Sequence, residues 1–144
     1  MTATVTRARP EEAAAVQRLA AHADSPFDAE RELERPYARL WVVRAGDAAD
    51  VSGFLLSWEV ADEVHVIDVV VLHDQRRRGF GRALLQAVLA RAREMDARLV
   101  LLEVRRSNTA AIGLYTSLGF ERSGERLAYY ADGEDAWLMQ LALR

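Results

Sequence analysis

The 144-residue chain contains no cysteine and no lysine, and these two absences exclude several kinds of chemistry. Without cysteine the chain has no disulfide, no thiolate nucleophile and no cysteine-ligated zinc site. All 19 basic residues are arginine, so a Schiff-base lysine and a phosphate-loop lysine are excluded as well. Nothing in the composition indicates an oxidising compartment.

Long apolar runs and an excess of positive charge are also missing. No apolar run approaches the ~20 residues that span a membrane, and the first 16 residues, MTATVTRARPEEAAAV, carry charges where a signal peptide has an apolar core. The net charge of −3 gives no basic field for nucleic acid. We therefore expect one globular domain over residues 1–144, in the cytoplasm, with no membrane or nucleic-acid partner and no metal.

The segment 64–95 has the pattern of a buried strand, a polar turn and an amphipathic helix. After the strand come three consecutive arginines and then Gly79 and Gly81, and from Phe80 the apolar residues recur with the period of a helix. The first N–H groups of a helix lack intrahelical partners and attract anions, and glycine lets a phosphate approach the backbone. The pattern predicts a phosphate-binding loop at 76–82; the alternative is a turn whose arginines lie in solvent.

Turn signals and periodicity divide the rest of the chain into short strands and helices. Pro10 before two glutamates is typical of a helix start, Pro36 and Gly119 are typical of helix ends, and Gly53 indicates a bulge or a close approach. The predicted strands are 4–9, 40–45, 51–60, 64–72, 98–104, 121–130 and 136–143, and the predicted helices 10–23, 28–34, 80–95 and 107–118. This order indicates an α/β sheet covered by helices.

Three residues in the second half are candidates for a site. Glu103 ends an otherwise apolar strand, where burial would raise the pKa of its carboxyl towards that of a general base; alternatively it pairs with Arg105 or Arg106 in solvent. Tyr115 is either a core aromatic or an acid that protonates a thiolate. Asn108 either binds ligand amides or caps its helix. The histidines of the central strand and turn lack a third group that would orient them as bases.

The loop Arg-Arg-Arg-Gly-Phe-Gly at 76–81 resembles the Arg/Gln-x-x-Gly-x-Gly/Ala pyrophosphate loop of the GNAT superfamily of N-acetyltransferases. The segment 102–111, with Leu-Tyr at 114–115 and Leu-Gly-Phe at 118–120, resembles the second half of that fold. Residues 129–136 with Met139, and Ala-Asp-Glu at 61–63, are similar to the ribosomal-protein-alanine and protein N-terminal acetyltransferases. Asp68 stands where that group often has Asn. The resemblance covers about residues 40–143.

The resemblance implies the GNAT fold, a mixed and mostly antiparallel sheet of six to seven strands with helices on both faces. It implies acetyl-CoA as the cofactor, with Glu103 as a water-mediated base and Tyr115 as the acid for the CoA thiolate. The pantetheine would pair with the backbone of residues 69–71. The implied cofactor-binding residues are Val69, Val70, Val71, Arg76, Arg77, Arg78, Gly79, Phe80, Gly81, Arg82 and Asn108.

The resemblance also suggests the acceptor, a protein N-terminus beginning with alanine, such as that of a ribosomal protein. The predicted acceptor-binding residues are Glu59, Asp62, Glu63, Tyr130, Glu134 and Asp135, whose acidic members would attract basic peptide positions; alternatively these acids are solvated. A small-molecule amine, such as a polyamine or aminoglycoside, is the alternative acceptor. A non-catalytic acyl-CoA-binding module is the alternative of another class. The chain is expected to be a monomer or a homodimer.

Overall fold

A computed structural model describes residues 3–23, 25, 27–46, 50–72 and 79–144 of the chain. The strands are β1 Thr4–Arg7, β2 Ala38–Arg44, β3 Gly53–Val60, β4 Glu63–Val71, β5 Leu99–Arg105, β6 Glu121–Arg126 and β7 Ala136–Ala142. A 3-10 turn, Pro10–Glu12, leads into α1 Ala13–His22, and the other helices are α2 Ala29–Glu34, α3 Phe80–Glu94 and α4 Thr109–Ser117.

The strands form one seven-stranded sheet in the order β1-β2-β3-β4-β5-β7-β6. Every neighbouring pair is antiparallel except β4 and β5, which are parallel. A parallel pair needs a long crossover, and α3 provides it. The prediction of a mixed, mostly antiparallel sheet of six to seven strands is therefore confirmed.

Helices cover both faces of the sheet because side chains alternate along each strand. On β2, Val43 faces the core that contains α3, whereas Val42 faces the core that contains α1 and α2. The first core continues across β5 and α4 through Val100, Leu102 and Tyr115. The second core is confined to β2, β3 and the end of β4, so the helices α1 and α2 cover only that side of the sheet.

Several predicted boundaries differ from the observed ones for local reasons. The strand predicted to reach residue 130 ends at Arg126, because Ala128 has a φ of +48° and its N–H donates to the Asp135 carboxylate. These contacts turn residues 127–135 into a loop. The helix predicted over 107–118 is observed as Thr109–Ser117, capped by Asn108, whose side chain accepts from the Ala111 N–H at 3.1 Å. Gly119 follows that helix with a φ of +102°, as predicted.

The central strand β4 has two halves with different neighbours. Its first half, Glu63–Val66, pairs with β5, and that pairing ends at Val66 opposite Leu102. There the register against β3 skips Ile67, which forms a bulge in β4. Beyond the bulge, β3 stays close: a Cβ on Gly53 would lie 2.6 Å from the Val70 carbonyl oxygen. Gly53 is thus a point of close approach between β3 and β4, as predicted. On the opposite edge of β4, the strand separates from β5.

Candidate active site

A cavity of about 680 Å³ lies where β4 and β5 separate. Its walls come from the second halves of both strands, from α4 and its cap, from the loop 127–135 and from the end of α1. The lining residues are Ala23, Ser25, Val66, Ile67, Asp68, Val69, Val70, Leu102, Glu103, Val104, Arg105, Asn108, Tyr115, Tyr129, Tyr130 and Ala131. Both predicted catalytic residues are among them. A strand split thus brings together residues that are far apart in the sequence.

Tyr115 is a core aromatic that also lines the cavity. It is buried, packs against Phe120 with ring centroids 5.9 Å apart, and also lines the cavity. Burial, reinforced by the charge of Asp68 and by Tyr130, raises the pKa of its phenol to about 12. The hydroxyl therefore keeps its proton at neutral pH and can serve as a donor to a group inside the cavity.

Glu103 differs from the expectation of a desolvated carboxylate. The residue is exposed, and Arg126 Nε on β6 donates to its Oε1 at 3.2 Å. Tyr129 also bonds to this carboxylate, which raises the pKa of the tyrosine. The alternative partners were wrong too, because Arg105 pairs with Asp132 and Glu134 instead. Glu103 nevertheless stays at the cavity wall, within reach of water.

Asp68 is a second carboxylate in the cavity, and the sequence analysis assigned it no role. It lies just after the bulge, half-buried, and accepts a hydrogen bond from the Ser25 hydroxyl. Desolvation raises the pKa of its carboxyl to about 6, opposed by a backbone hydrogen bond from Val69. The signal in the sequence was a charged residue interrupting an apolar strand, but local sequence does not show that this side chain faces Tyr115.

The predicted cofactor loop is only partly within the described residues. Arg76, Arg77 and Arg78 lie outside them. Gly79 adopts the left-handed region, with a φ of +79°, and its carbonyl accepts the first bond of α3 from the Ala83 N–H at 2.9 Å. A Cβ on Gly81 would lie 3.4 Å from the Leu114 side chain, so a small residue keeps α3 and α4 close there.

The other predicted cofactor residues divide between backbone and side-chain roles. Phe80 is 2% exposed and packs in the core, so its side chain is not available to a ligand. Arg82 instead donates to the Ser117 hydroxyl at 2.8 Å. Val69 and Val70 line the cavity, at the end of β4 that diverges from β5. On its opposite edge β4 stays paired with β3 as far as Val71. Asn108 both caps α4 and lines the cavity, so its two interpretations are compatible.

Three of the predicted acceptor-binding acids are not brought to the cavity. Glu59, Asp62 and Glu63 lie at the opposite end of β4, around the β3–β4 turn. Each is paired with arginine: Glu59 with Arg39 and Arg91, and the other two with Arg98. These three acids are therefore at the end of β4 that is far from the cavity.

The remaining three predicted acceptor residues build the loop beside the cavity. Tyr130 lines the cavity, and the Arg105 guanidinium stacks over its ring at 4.0 Å. Glu134 accepts from Arg105 at 2.9 Å and from the Ser107 N–H at 2.9 Å, and these bonds lower the pKa of its carboxyl. Asp135 accepts from the Ala128 N–H. The acids therefore hold the Tyr129–Tyr130 pair in place.

The described part of the chain contains no cluster of three or more histidine, aspartate or glutamate side chains suited to a metal ion. None of its helices is both long and apolar enough to cross a membrane.

Comparison with known proteins gives a consistent result. Residues 7–120 match the model of the Acetyltransferase (GNAT) family. The chain is 50% identical over 80 residues to an N-alpha-acetyltransferase of Sulfurisphaera tokodaii, covering 55% of this chain and 48% of the relative. It is 40% identical over 96 residues to the ribosomal protein bS18-alanine N-acetyltransferase of Escherichia coli K12, covering 65% of each. The matches thus span less than two thirds of either relative.

A solved structure extends the likeness over nearly the whole chain. The crystal structure of the ribosomal-protein-S18-alanine N-acetyltransferase from Escherichia coli superposes with a TM-score of 0.86 at 29% identity, covering 99% of this chain and 94% of the other. Ard1 from Thermoplasma volcanium superposes with a TM-score of 0.85 at 27% identity, over 100% and 99%. Taken with the family match over residues 7–120, these likenesses show that the chain belongs to the GNAT family of acetyltransferases, which use acetyl-CoA as the acyl donor.

Proposed function

We propose that this chain transfers an acetyl group from acetyl-CoA directly to the N-terminal α-amine of a protein that begins with a small residue such as alanine. The observation that carries the proposal is the convergence of Tyr115, Glu103 and Asp68 on one cavity between the separated strands. A protein N-terminus as the acceptor is supported by two relatives, an N-alpha-acetyltransferase and a ribosomal protein bS18-alanine N-acetyltransferase.

The acceptor amine must lose a proton before it attacks. An α-amine has a pKa near 8, so most of it is protonated at neutral pH. Glu103 is the proposed base and acts through a water molecule, which suits its exposed position at the cavity wall. Asp68 is proposed to hold the arriving ammonium group, because a carboxylate whose pKa is about 6 is mostly ionised at pH 7.

Acetyl transfer then forms a C–N bond and breaks the C–S bond of the thioester. A backbone N–H at the end of β4 is proposed to stabilise the oxyanion. Tyr115 donates its proton to the departing thiolate sulfur and is reprotonated from solvent. Burial raises the pKa of the phenol to about 12, which makes it a weaker acid, but the same burial also raises the pKa of a thiol held in the cavity and so offsets part of that rise.

The loop 127–135 is proposed to form the rim that receives the acceptor. Tyr129 is 50% exposed and Tyr130 lines the cavity, so the pair offers an apolar contact to the first residues of a peptide. Glu134 and Asp135 contribute by shaping that loop. Glu59, Asp62 and Glu63 have no part in the proposal, since they are paired with arginines at the other end of β4.

A small-molecule amine is the second candidate acceptor. Asp68 favours it, because a half-buried carboxylate in the cavity would suit a compact cation as well as a peptide terminus. A non-catalytic acyl-CoA-binding module is disfavoured, since a module of that kind would need neither Tyr115 nor Glu103 in the cavity.

The test follows CoA release from acetyl-CoA with two acceptors in parallel, and mass spectrometry locates the acetyl group. One acceptor is a basic peptide beginning with alanine, and its matched control is the same peptide with a blocked N-terminus. The other is a mixture of polyamines and aminoglycosides. We expect acetylation of the free α-amine alone. Turnover only on the small amines would overturn the proposed acceptor. No acetylation of either acceptor, in a protein that still binds acetyl-CoA, would favour the acyl-CoA-binding module.

A further inference from the structure

A second cavity lies on the α3 face of the sheet, outside the proposed active site. It has a volume of about 430 Å³ and is lined by Arg7, Arg39, Trp41, Ala87, Ala90, Arg91 and Glu94. None of these residues lines the cavity between β4 and β5. Trp41 and Arg39 project from β2 towards α3, where Ala87 and Ala90 are small enough to leave room. We call this second cavity the arginine groove.

Two of its three arginines are held in place by one carboxylate. Arg39 Nε donates to Glu59 Oε2 at 3.1 Å, and Arg91 donates to both Glu59 oxygens at 2.9 and 3.1 Å. The Glu59 side chain is only 11% exposed, and these bonds, that of Arg91 first, lower the pKa of its carboxyl. The two guanidinium groups are therefore fixed before any ligand arrives, which reduces the entropy that binding would cost.

The third arginine has no carboxylate partner among the described residues. The Arg7 guanidinium lies over the Trp41 ring, 5.5 Å from its centroid. The pKa of Arg7 is lowered, first by partial burial and then by the charge of Arg39, while Glu59 opposes the effect. Repulsion between like charges that no anion fully balances is energetically unfavourable, and an added anion would relieve it.

Charge and hydrogen-bond donors are both in excess in the arginine groove. Its three arginines face two carboxylates, Glu59 and Glu94, the second of which bonds to Arg91 at 3.3 Å and is 75% exposed. This leaves one positive charge. Arg39 uses only Nε towards Glu59, so its remaining N–H groups and all those of Arg7 have no acidic partner in the part of the chain that the structure describes. Guanidinium forks match the oxygens of phosphate well.

From this arrangement we propose that the arginine groove binds an oxyanion of the phosphate class, with Arg7 and Arg39 as its ligands and Arg91 as the charge behind them. The site shares no residue with the predicted cofactor loop 76–82 or with the cavity between β4 and β5, and it is independent of the proposed acetyl transfer. Its volume accommodates a phosphoryl group carried by a larger molecule as well as inorganic phosphate.

The experiment titrates inorganic phosphate into the full chain by calorimetry at constant ionic strength, with CoA present at saturation so that the cofactor loop is already occupied. We expect one phosphate site. Arg7→Gln should weaken phosphate binding at least about tenfold, since it removes one charge-assisted partner. Arg93→Gln is the matched control: Arg93 is exposed on the same helix as Arg91 and does not line the groove.

A second probe separates phosphate from acidic protein segments. It is a tetraglutamate peptide with both ends blocked, titrated under the same conditions. Phosphate binding that depends on Arg7 and not on Arg93 would support the proposal, as would an unchanged KM for acetyl-CoA in Arg7→Gln. No phosphate site in the CoA-saturated protein, an equal loss in Arg93→Gln, or Arg7-dependent binding of the peptide alone would each overturn it.

Discussion

The two halves of β4 contain carboxylates in very different surroundings. At the first half, where β4 pairs with strands on both sides, Glu63 and the neighbouring Glu59 and Asp62 are paired with arginines. At the second half, beyond the bulge, Asp68 faces a cavity and has only a serine hydroxyl and a backbone N–H as partners. Where β4 is paired with both neighbouring strands, its acids are matched by arginines. Where its pairing with β5 stops, a cavity opens and Asp68 faces it.

Strand pairing, rather than residue type, decides here whether a carboxylate is matched by arginines. An acid whose charge is matched by arginines stabilises the fold, whereas an acid kept partly desolvated without a cationic partner costs stability and is free to bind a cation. Glu103 is intermediate, since it lines the cavity and also pairs with Arg126. Tyr115→Phe, Glu59→Gln and Asp68→Asn test how the two ends of β4 differ.

Tyr115→Phe should have the largest effect, because it removes the proposed proton donor from the cavity. We expect kcat to fall by ~10²–10⁴-fold, equivalent to about 3–5 kcal/mol of activation free energy. The free energy of unfolding should change by less than about 1 kcal/mol, since the ring and its packing on Phe120 remain. Steady-state kinetics and urea unfolding measure the two quantities.

Tyr37→Phe is the matched control for that variant. Tyr37 is 42% exposed, packs edge-on against Trp58 and does not line the cavity. Its kcat should equal that of the wild type. Normal turnover by Tyr115→Phe would contradict the role assigned to the phenol and would leave protonation of the thiolate to water.

Glu59→Gln should produce the second largest effect, on stability. It leaves Arg39 and Arg91 without the carboxylate that they share, and we expect the free energy of unfolding at pH 7 to fall by about 2–3 kcal/mol. The pKa of Glu59 is lowered in the folded state, so its contribution is present above the unfolded value of 4.5 and is lost as the pH falls through the folded pKa. The difference from wild type should therefore shrink in acid.

Asp62→Asn provides the comparison at the same end of β4. Asp62 pairs with Arg98, but both side chains are about half exposed, at 48% and 47%. An exposed pair contributes little, so the loss should be less than about 0.5 kcal/mol. Equal losses in the two variants, measured by urea unfolding, would show that burial of the Glu59 network does not matter.

Asp68→Asn should change stability by less than Glu59→Gln does, and with the opposite sign. The pKa of Asp68 is raised from 3.8 to about 6 in the folded state, so its contribution is present below 3.8 and is lost as the pH rises through about 6. Removing the charge should raise the free energy of unfolding by about 1–2 kcal/mol at pH 8 and leave it unchanged near pH 3.5. Urea unfolding at the two pH values measures the difference.

The kinetics of the same variant test the functional side of the comparison. In the wild type, kcat/KM should rise with pH around the Asp68 pKa of about 6. That limb should disappear in Asp68→Asn and persist in Glu103→Gln, which keeps Asp68. An unchanged profile in Asp68→Asn would show that the carboxylate does not meet the ammonium group of the acceptor.

Much of the fold was predictable because its signals are local. The apolar run of β4, the glycines after it and the helical period from Phe80 predicted the strand, loop and helix in their order. Gly53 and Gly119 marked a close approach and a helix end because their backbone requirements are visible in the sequence. The end of β6 was not predictable, since it depends on a bond between Ala128 and Asp135 across a loop.

The candidate site was predictable only in part, and the reason is the range of its contacts. Tyr115 and Glu103 were found through motifs, but the partner of Glu103 is Arg126 on another strand. Asp68 and Ser25 are 43 residues apart and meet only because α1 ends against the diverging end of β4. Glu59, Asp62 and Glu63 were predicted to bind the acceptor because they are acidic, but they lie at the end of β4 opposite the cavity.

The α/β class, the order of the elements and the resemblance to the GNAT family could all be inferred from the sequence, because periodicity, turn residues and short motifs are properties of neighbouring residues. Tertiary structure alone decided where β4 and β5 separate and which carboxylates are matched by arginines. It also gathered Arg7, Arg39 and Arg91 into one groove. These features depend on strand pairing and helix packing between distant segments, and local sequence does not contain that information.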